Sequence, residues 1–534
     1  MTSEAVSAAA ATRPAESTPN PWLIAMVVVL STFMEVLDTS IANVSLPHIA
    51  GSLAATPEES TWVLTSYLVA NAVVLPLSGW FSNMFGRKRF YMTCVVLFTI
   101  SSFLCGLAPS LPLLIFFRIL QGLGGGGLQP SSQAILADTF PPEKRGMGFS
   151  VYGMAVVFAP AIGPTLGGWI TDNLNWRWIF YINVPVGVVS FLLTSRLIED
   201  PPYLVKRVQE LRGKLRIDYV GIGLLTLGLG TLQLVLDKGQ EEDWLGSRLI
   251  AWSIAVAVAS LAAVIWWELR IVNPIVDLRL FREPNFAISN VLMFGLGFAL
   301  FGSTVLVPQF LQTLLGWTAT QSGEVLSPSG IMVFLMLPLT GMLVNRVQAR
   351  YMILFGLLVA AVSLWLTASI SLGVDYSTIT VFRMIQGVGL AFLFIPISTT
   401  AFSRLPPEKS NAASALFNLQ RNLGASFGIA AVTTLVSRQA QVHQAQLVKN
   451  VTAGSSQYQN LIAGLAQRLA QAGSSTYQAG RQAQAMVARM VAQQAGAMAY
   501  LDAFRFVAVC CLVMIPLCFF IKQVRLRPGP IHME

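Results

Sequence analysis

Apolar stretches of roughly twenty residues recur from one end of the chain to the other, and each is long enough to cross ~30 Å of hydrocarbon as a helix. Their limits predict fourteen spans, at 22–46, 60–82, 90–108, 112–137, 146–170, 177–197, 218–236, 248–268, 286–311, 322–345, 350–372, 377–402, 411–436 and 501–522. Short polar or charged segments separate most of them. Two polar segments are longer. Residues 1–20 are rich in Ala, Ser, Thr and Pro, and read as a short disordered tail before a retained first helix, because Glu35 and Asp38 do not suit a cleaved signal peptide. Residues 437–500 are rich in Ala and Gln, keep a helical period, and are too polar to cross a bilayer.

The pattern is written twice. Phe117-Arg118-Ile119-Leu120-Gln121-Gly122 returns as Phe382-Arg383-Met384-Ile385-Gln386-Gly387, and Pro141-Pro142-Glu143-Lys144 as Pro406-Pro407-Glu408-Lys409, both 265 residues on. Leu75-Pro76-Leu77-Ser78-Gly79 returns as Leu337-Pro338-Leu339-Thr340-Gly341 after 262. Duplicated halves in a strongly apolar chain point to a secondary transporter with its substrate path between the repeats. The expected fold is an all-α polytopic membrane protein made of two six-helix halves plus two inserted helices. Its expected divisions are a tail at 1–21, a first half at 22–198, a basic linker and two inserted helices at 199–285, a second half at 286–522 carrying 437–500, and a tail at 523–534.

Composition narrows this reading. Charged residues are 11% of the chain, hydrophobic ones 54%, and the formal charge is +9. In a membrane chain the first question is which loops hold the cations. Arg87, Lys88, Arg89, Lys144, Arg145 and the stretch from Lys206 to Arg216 share a side with the N-terminus, whereas the other side holds mainly Arg177, Lys238, Arg248 and the cations of 437–500. This bias puts both termini in the cytoplasm and removes the reason to expect nucleic acid. The five cysteines all lie inside apolar spans without metal or disulfide spacing, and His48, His443 and His532 are dispersed. No enzyme signature, cofactor motif or nucleotide-binding loop is present, so transport energy is expected from an ion gradient.

Three residues stand out chemically. Glu35 and Asp38 lie three apart on one face of the first helix, and a charge at that depth costs at least ~2.5–3.5 kcal/mol, so such acids normally face a cavity or a partner. Burial and neighbouring cations act on a carboxyl in opposite directions, which lets its protonation follow its surroundings. Arg118, six residues into the fourth span, needs an acceptor, with Glu35 and Asp38 both available. A purely structural clamp between helices is the alternative. Asp218, Glu324 and Arg421 are secondary candidates near or within spans.

The segments Leu37-Asp38-Thr39-Ser40-Ile41-Ala42-Asn43-Val44-Ser45-Leu46-Pro47 and Trp176-Arg177-Trp178-Ile179-Phe180, the latter followed by Ile182-Asn183-Val184-Pro185-Val186-Gly187, resemble signatures of the fourteen-span drug:proton antiporters of the major facilitator superfamily. Thr61-Trp62-Val63, Leu236-Asp237-Lys238-Gly239 with Asp243-Trp244, and Asn273-Pro274-Ile275-Val276-Asp277-Leu278 are similar to its EmrB-like subgroup. The resemblance implies that Arg118, with Gln121 and Gly122, takes part in proton transfer to and from Asp38 and Glu35. It implies an antiporter signature in Gly153, Pro160, Gly163, Pro164, Gly167 and Gly168, and a cytoplasmic gate loop in Gly79, Asn83, Gly86 and Arg87. Asn83 replaces the acid usual at its place, a departure from the family's charge latch.

The resemblance further implies export of hydrophobic or amphipathic small molecules, driven by the proton gradient without a cofactor. The setting would be a bacterial inner membrane, with a periplasmic adaptor protein and an outer-membrane channel as partners; 437–500 is a candidate adaptor contact. Met34, Tyr67, Gln121, Phe158 and Arg383 are possible substrate contacts. The repeat is imperfect. Arg383 and Gln386 are expected to meet no acid, since the place of Asp38 falls at about Leu300, and Gly163-Pro164 becomes Gly428-Ile429. Rival readings are a dedicated exporter of one endogenous metabolite, fatty acid or siderophore, and a membrane receptor or scaffold without transport.

Overall fold

A computed structural model describes residues 20–522, apart from 142, 212–217, 272–273, 450 and 453. The expected tail at 523–534, that at 1–21 as far as residue 19, much of the basic linker and Asn273 lie outside the described residues, and Pro21 already belongs to the first helix. Every regular element among the described residues is helical. In chain order they are α1 (Pro21–Ser52), α2 (Pro57–Ser60), α3 (Trp62–Phe85), α4 (Arg87–Leu107), α5 (Leu111–Gly125), α6 (Leu128–Thr139), α7 (Arg145–Asn173), α8 (Trp178–Tyr181), α9 (Asn183–Leu197) and α10 (Pro202–Leu211). Then follow α11 (Tyr219–Lys238), α12 (Arg248–Arg270), α13 (Pro284–Leu314), α14 (Ala319–Leu343), α15 (Ala349–Thr367), α16 (Tyr376–Phe402), α17 (Ser410–Val448), α18 (Ser456–Gln471) and α19 (Thr476–Val513).

Among the described residues, twelve helical units are individually long and apolar enough to cross a membrane, with α5–α6 and α8–α9 each counting as one. A thirteenth is α7, whose parts Arg145–Pro160 and Ile162–Asn173 meet at 47°. Pro160 and Pro164 explain that bend, since each removes a backbone donor and crowds the turn before it. The remaining unit is α17. It is long enough, but Asn411, Asn418, Gln420, Arg421 and Asn422 make it polar, and the structure buries Asn411, Asn418 and Arg421 between neighbouring helices.

Apolar length marks the ends of most spans and misses those of the last two. The helix predicted at 411–436 continues to Val448, and the one predicted at 501–522 begins at Thr476 and ends at Val513, followed by a short, tighter helix at Ile515–Phe520. Ala and Gln sustain a helix in water as well as in lipid, so hydropathy falls without the backbone changing course. Residues 437–500 thus form the tail of α17, all of α18 and the first half of α19. Ala479, Ala483 and Val487 are spaced by one turn and buried on α19, and Gln493 donates to the Leu314 carbonyl at 2.6 Å, docking this extension onto the end of α13.

The repeat governs packing as well as sequence. A Cβ on Gly124 would meet the Phe98 amide nitrogen at 2.7 Å, and one on Gly389 would meet that of Ala360 at 2.8 Å. In both halves a side chain is absent so that two helix backbones can touch. The inserted α11 leaves this frame and packs on α3, where Asp237 accepts from Thr65 and Lys238 donates to Thr61. Two of the motifs singled out in the sequence therefore meet in space.

Candidate functional site

The α1 helix carries two buried acids one turn apart, each with its own partners. Asp38 is 2% exposed and Arg118, from α5, is fully buried. Their Oδ2 and Nη1 atoms are 2.5 Å apart. The other carboxylate oxygen accepts from Gln121 at 2.9 Å and from Asn183 at 2.8 Å. Arg118 donates Nε to the Val63 carbonyl at 3.0 Å and a second Nη1 bond to Gln121 at 2.8 Å, while its Nη2 has no partner among the described residues. The acceptor left open by the sequence, Glu35 or Asp38, is Asp38. A charge-assisted pair in such surroundings is strong, and removing one member strands the other.

Among the described residues, Glu35, 3% exposed, meets no cation directly. One oxygen accepts from Tyr67 and from Asn71, both at 3.1 Å, and the other from Gln129 on α6. Gln129 in turn accepts from Arg421 on α17, so the acid is linked through one amide to the second half. Tyr67 joins the clusters: its hydroxyl serves Glu35, and its ring lies 4.3 Å beneath the Arg118 guanidinium. A parallel link runs from Tyr152 to Asn418 at 3.1 Å and from Asn418 to Gln133 at 2.6 Å. Neutralising Asp38 breaks an ion pair, whereas neutralising Glu35 breaks none and loosens a bridge between halves.

The second half holds the same frame without the acid. Arg383 and Gln386 bond to each other, and both reach Ser303, at 3.4 and 2.8 Å. Leu300, the residue expected opposite Arg383, instead lines a cavity of about 20 Å³ with Pro160, Val157 and Arg383. The correction has a simple cause: α13 follows the 265-residue offset of the fourth-span repeat rather than the 262 of the second, which shifts the equivalent position by about one turn. A family model described as Major Facilitator Superfamily matches residues 28–429.

The chain belongs to the major facilitator superfamily.

Within it the chain is similar to the multidrug export protein EmrB of Escherichia coli strain K12, 40% identical over 433 residues, 80% of this chain and 83% of the relative. It is also similar to the fatty acid resistance protein FarB of Neisseria gonorrhoeae, 37% identical over 440 residues, 82% and 85% of the two chains. The crystal structure of the human organic anion transporter MFSD10 shares the fold, with a TM-score of 0.60 at 14% identity, covering 94% of this chain and all of that one.

In this facilitator the gate-loop residues lie where the halves meet. A Cβ on Gly79 would stand 2.9 Å from the Asn411 carbonyl of α17, so the glycine permits the approach. Asn411 donates to Asn83 at 2.8 Å and accepts from Arg87 Nε at 2.7 Å. Arg87 also pairs with Asp138 at 2.8 Å and donates to Tyr203 of the linker helix α10 at 3.0 Å. Burial pushes the Tyr203 phenol above its usual range, with Arg87 opposing and Asp138 reinforcing, so it stays a donor to Asp138 at 2.6 Å. Gly86 adopts φ +90°, a left-handed turn that glycine takes without strain, with Asp200 against it. Asn345 donates to the Glu143 carbonyl on the opposite flank at 2.5 Å. At this end the two halves are bonded together.

The antiporter-signature residues divide. Gly163 and Gly167 let α7 touch α1 at Ser40 and Ile41, Gly153 faces Phe394 of the second half, and Gly168 has open space around it. The Pro160 carbonyl cannot bond to residue 164, which lacks an N–H, and the Ser40 hydroxyl donates to it at 3.3 Å instead. Of the possible substrate contacts, Tyr67 and Gln121 belong to the acid clusters, Met34 is core, Phe158 packs on Phe334 at 5.4 Å, and Arg383 borders the small cavity. Asp218 caps α11 and accepts from Trp267, and Glu324 is exposed. Asn183, Gln129, Asn71 and Asn411 were not selected from sequence as functional residues. Asn183 lies in the Ile182–Gly187 signature, which assigns it no role; for Gln129, Asn71 and Asn411 the one signal is an amide side chain in or beside an apolar run, a weaker mark than a charge.

Proposed function

We propose that this protein is a proton-coupled antiporter that exports hydrophobic or amphipathic drugs across a bacterial inner membrane. The observation that carries the reading is the single-sided acid: Asp38 faces Arg118 and Gln121, whereas Ser303 faces the equivalent Arg383 and Gln386. A frame needed only for packing would serve with serine in both halves. The named activities of the similar proteins, multidrug export and fatty acid resistance, support the substrate class.

In this mechanism a proton on Asp38 cancels its charge and releases Arg118 to the Val63 carbonyl and Gln121. A proton on Glu35 weakens its hold on Gln129 and, through that amide, on Arg421. Both changes loosen contacts that fix α1 and α6 against their neighbours, so proton binding and substrate release favour one arrangement of the halves, and proton loss the other. Both termini are cytoplasmic in this reading, which puts the Gly86 turn inside and residues 437–500 in the periplasm. That extension is the proposed contact for a periplasmic adaptor leading to an outer-membrane channel. Deleting 450–475 should abolish adaptor co-purification while leaving the chain in the membrane.

Substrate-driven proton release from purified protein tests the assignment. Wild type should release protons on drug addition and Asp38→Asn should release at least tenfold fewer at equal substrate occupancy. Unchanged release from Asp38→Asn would remove Asp38 from the coupling step. A narrower reading, export of an endogenous fatty acid, is favoured by the likeness to FarB. It requires that fatty acids, and not unrelated drugs, compete for transport in proteoliposomes.

A further inference from the structure

A second cavity lies away from both acid clusters, between the inserted helices and the second half. It measures about 530 Å³ and is walled by Leu232 and Val235 of α11, Ala257 of α12, Phe427 and Ala431 of α17, and Phe506 of α19. Val258, Phe427 and Phe506 are exposed at its rim, so it opens sideways to the bilayer. One end is polar. Among the described residues the Thr434 hydroxyl is buried there with no hydrogen-bond partner, and one turn further along the same face Arg438 is exposed and pairs with none of the described carboxylates. Trp244 closes that end on a strained backbone, with φ +55° at Asp243 and +48° at Trp244. Strain of this kind persists where the surroundings hold a side chain in a required place.

Dimensions select the occupant. The α17 wall from Phe427 to Arg438 is about 16 Å long, close to the ~15 Å depth of one hydrocarbon leaflet. A chain lying along it would have its tail at the bilayer midplane and its head beside Thr434, Arg438 and Trp244. Trp prefers that interfacial depth, and an unpaired guanidinium there calls for an anion. A phosphate diester accepts from both the hydroxyl and the guanidinium, which a zwitterionic head satisfies less well because its own cation repels Arg438.

We propose that this groove is a binding site for an anionic phospholipid of the surrounding bilayer, with one acyl chain between α11, α12 and α17 and its phosphate at Arg438 and Thr434. The site would fasten the inserted helices to the second half through a lipid, beside the direct Ser426–Gln233 hydrogen bond at 3.0 Å. It does not rest on the transport reading.

Native mass spectrometry of the purified full chain tests it, using phosphatidylglycerol and phosphatidylcholine of matched chain length. Wild type should retain one phosphatidylglycerol at least fivefold over phosphatidylcholine. Arg438→Gln should erase the preference, and Ala431→Trp, which fills the groove, should lower retention of both lipids. Arg438 is exposed, so its variant should fold, as gel filtration would verify. An unchanged preference in Arg438→Gln, unchanged retention in Ala431→Trp, or complete displacement of phosphatidylglycerol by equimolar palmitate would each overturn the proposal.

Discussion

The Asp38–Arg118 pair poses a question of charge that single substitutions answer poorly. Asp38→Asn leaves a guanidinium buried without its anion, and that loss costs roughly 3–5 kcal/mol. Adding Arg118→Met removes the stranded cation and should restore most of the lost stability in a denaturant titration, without restoring drug-driven proton release. Recovery of both would make the pair a structural clamp; recovery of neither would mean that Gln121 and Asn183 carry the energy. The second half supplies the converse experiment. Among the described residues, the Arg383 Nε is buried without a partner and the guanidinium's hydrogen bonds go to Ser303 and Gln386. Ser303→Asp should therefore stabilise the protein by about 1–2 kcal/mol through a charge-assisted bond, yet leave the proton release lost in Asp38→Asn unrestored. Restoration by that acid would show that the two halves are interchangeable in coupling.

At the scale of the helix, α7 and α17 occupy equivalent places and behave differently because α7 has prolines at 160 and 164 where α17 has Ala425 and Ile429. Pro164 denies the Pro160 carbonyl its helical donor, and Ser40 supplies one from α1; α17 has Ile429 there and keeps an uninterrupted helix through its 39 residues. Pro164→Ala should return that bond, reduce the bend that Pro160 shares, and raise the thermal midpoint, with a gain of up to ~3 kcal/mol. Turnover should fall, because a straighter helix slides less freely past α1. An unchanged turnover with a raised midpoint would detach the bend from the transport cycle. Both prolines were legible in the sequence, as were the duplicated halves, the fourteen helical units and the acid–arginine pairing. Apolar length reveals spans, and a charge inside a span reveals a partner. What sequence could not supply was register and reach: Ser303 rather than Leu300 opposite Arg383, and the amides Asn71, Gln129 and Asn183 around the acids. A neutral amide carries too small a penalty in a membrane to declare itself, and its partner is fixed only when helices pack.

For the whole molecule, the decisive contact is the one that holds the halves together at the Gly86 end. Asn411 of the second half accepts from Arg87 and donates to Asn83, and its carbonyl lies against Gly79. Asn411→Ala deletes both side-chain bonds and leaves the Arg87 Nε, on a side chain only 2% exposed, without its acceptor. An orphaned buried donor costs ~1–3 kcal/mol, and this cost applies only while the end is closed, because water replaces Asn411 once the halves part. The closed population should fall relative to the open one by about 5- to 150-fold. Asn83→Asp acts in the opposite sense: it keeps an acceptor for the Asn411 amide and adds a negative charge beside Arg87. Spin labels at Glu143 and Val347, one on each half, would report the outcome as a distance distribution. The short-distance peak should shrink in Asn411→Ala and sharpen in Asn83→Asp. If both variants keep the wild-type distribution, closure at this end is set by the flanking Ser410–Asp138 and Asn345–Glu143 contacts, and Asn83 has no gating part.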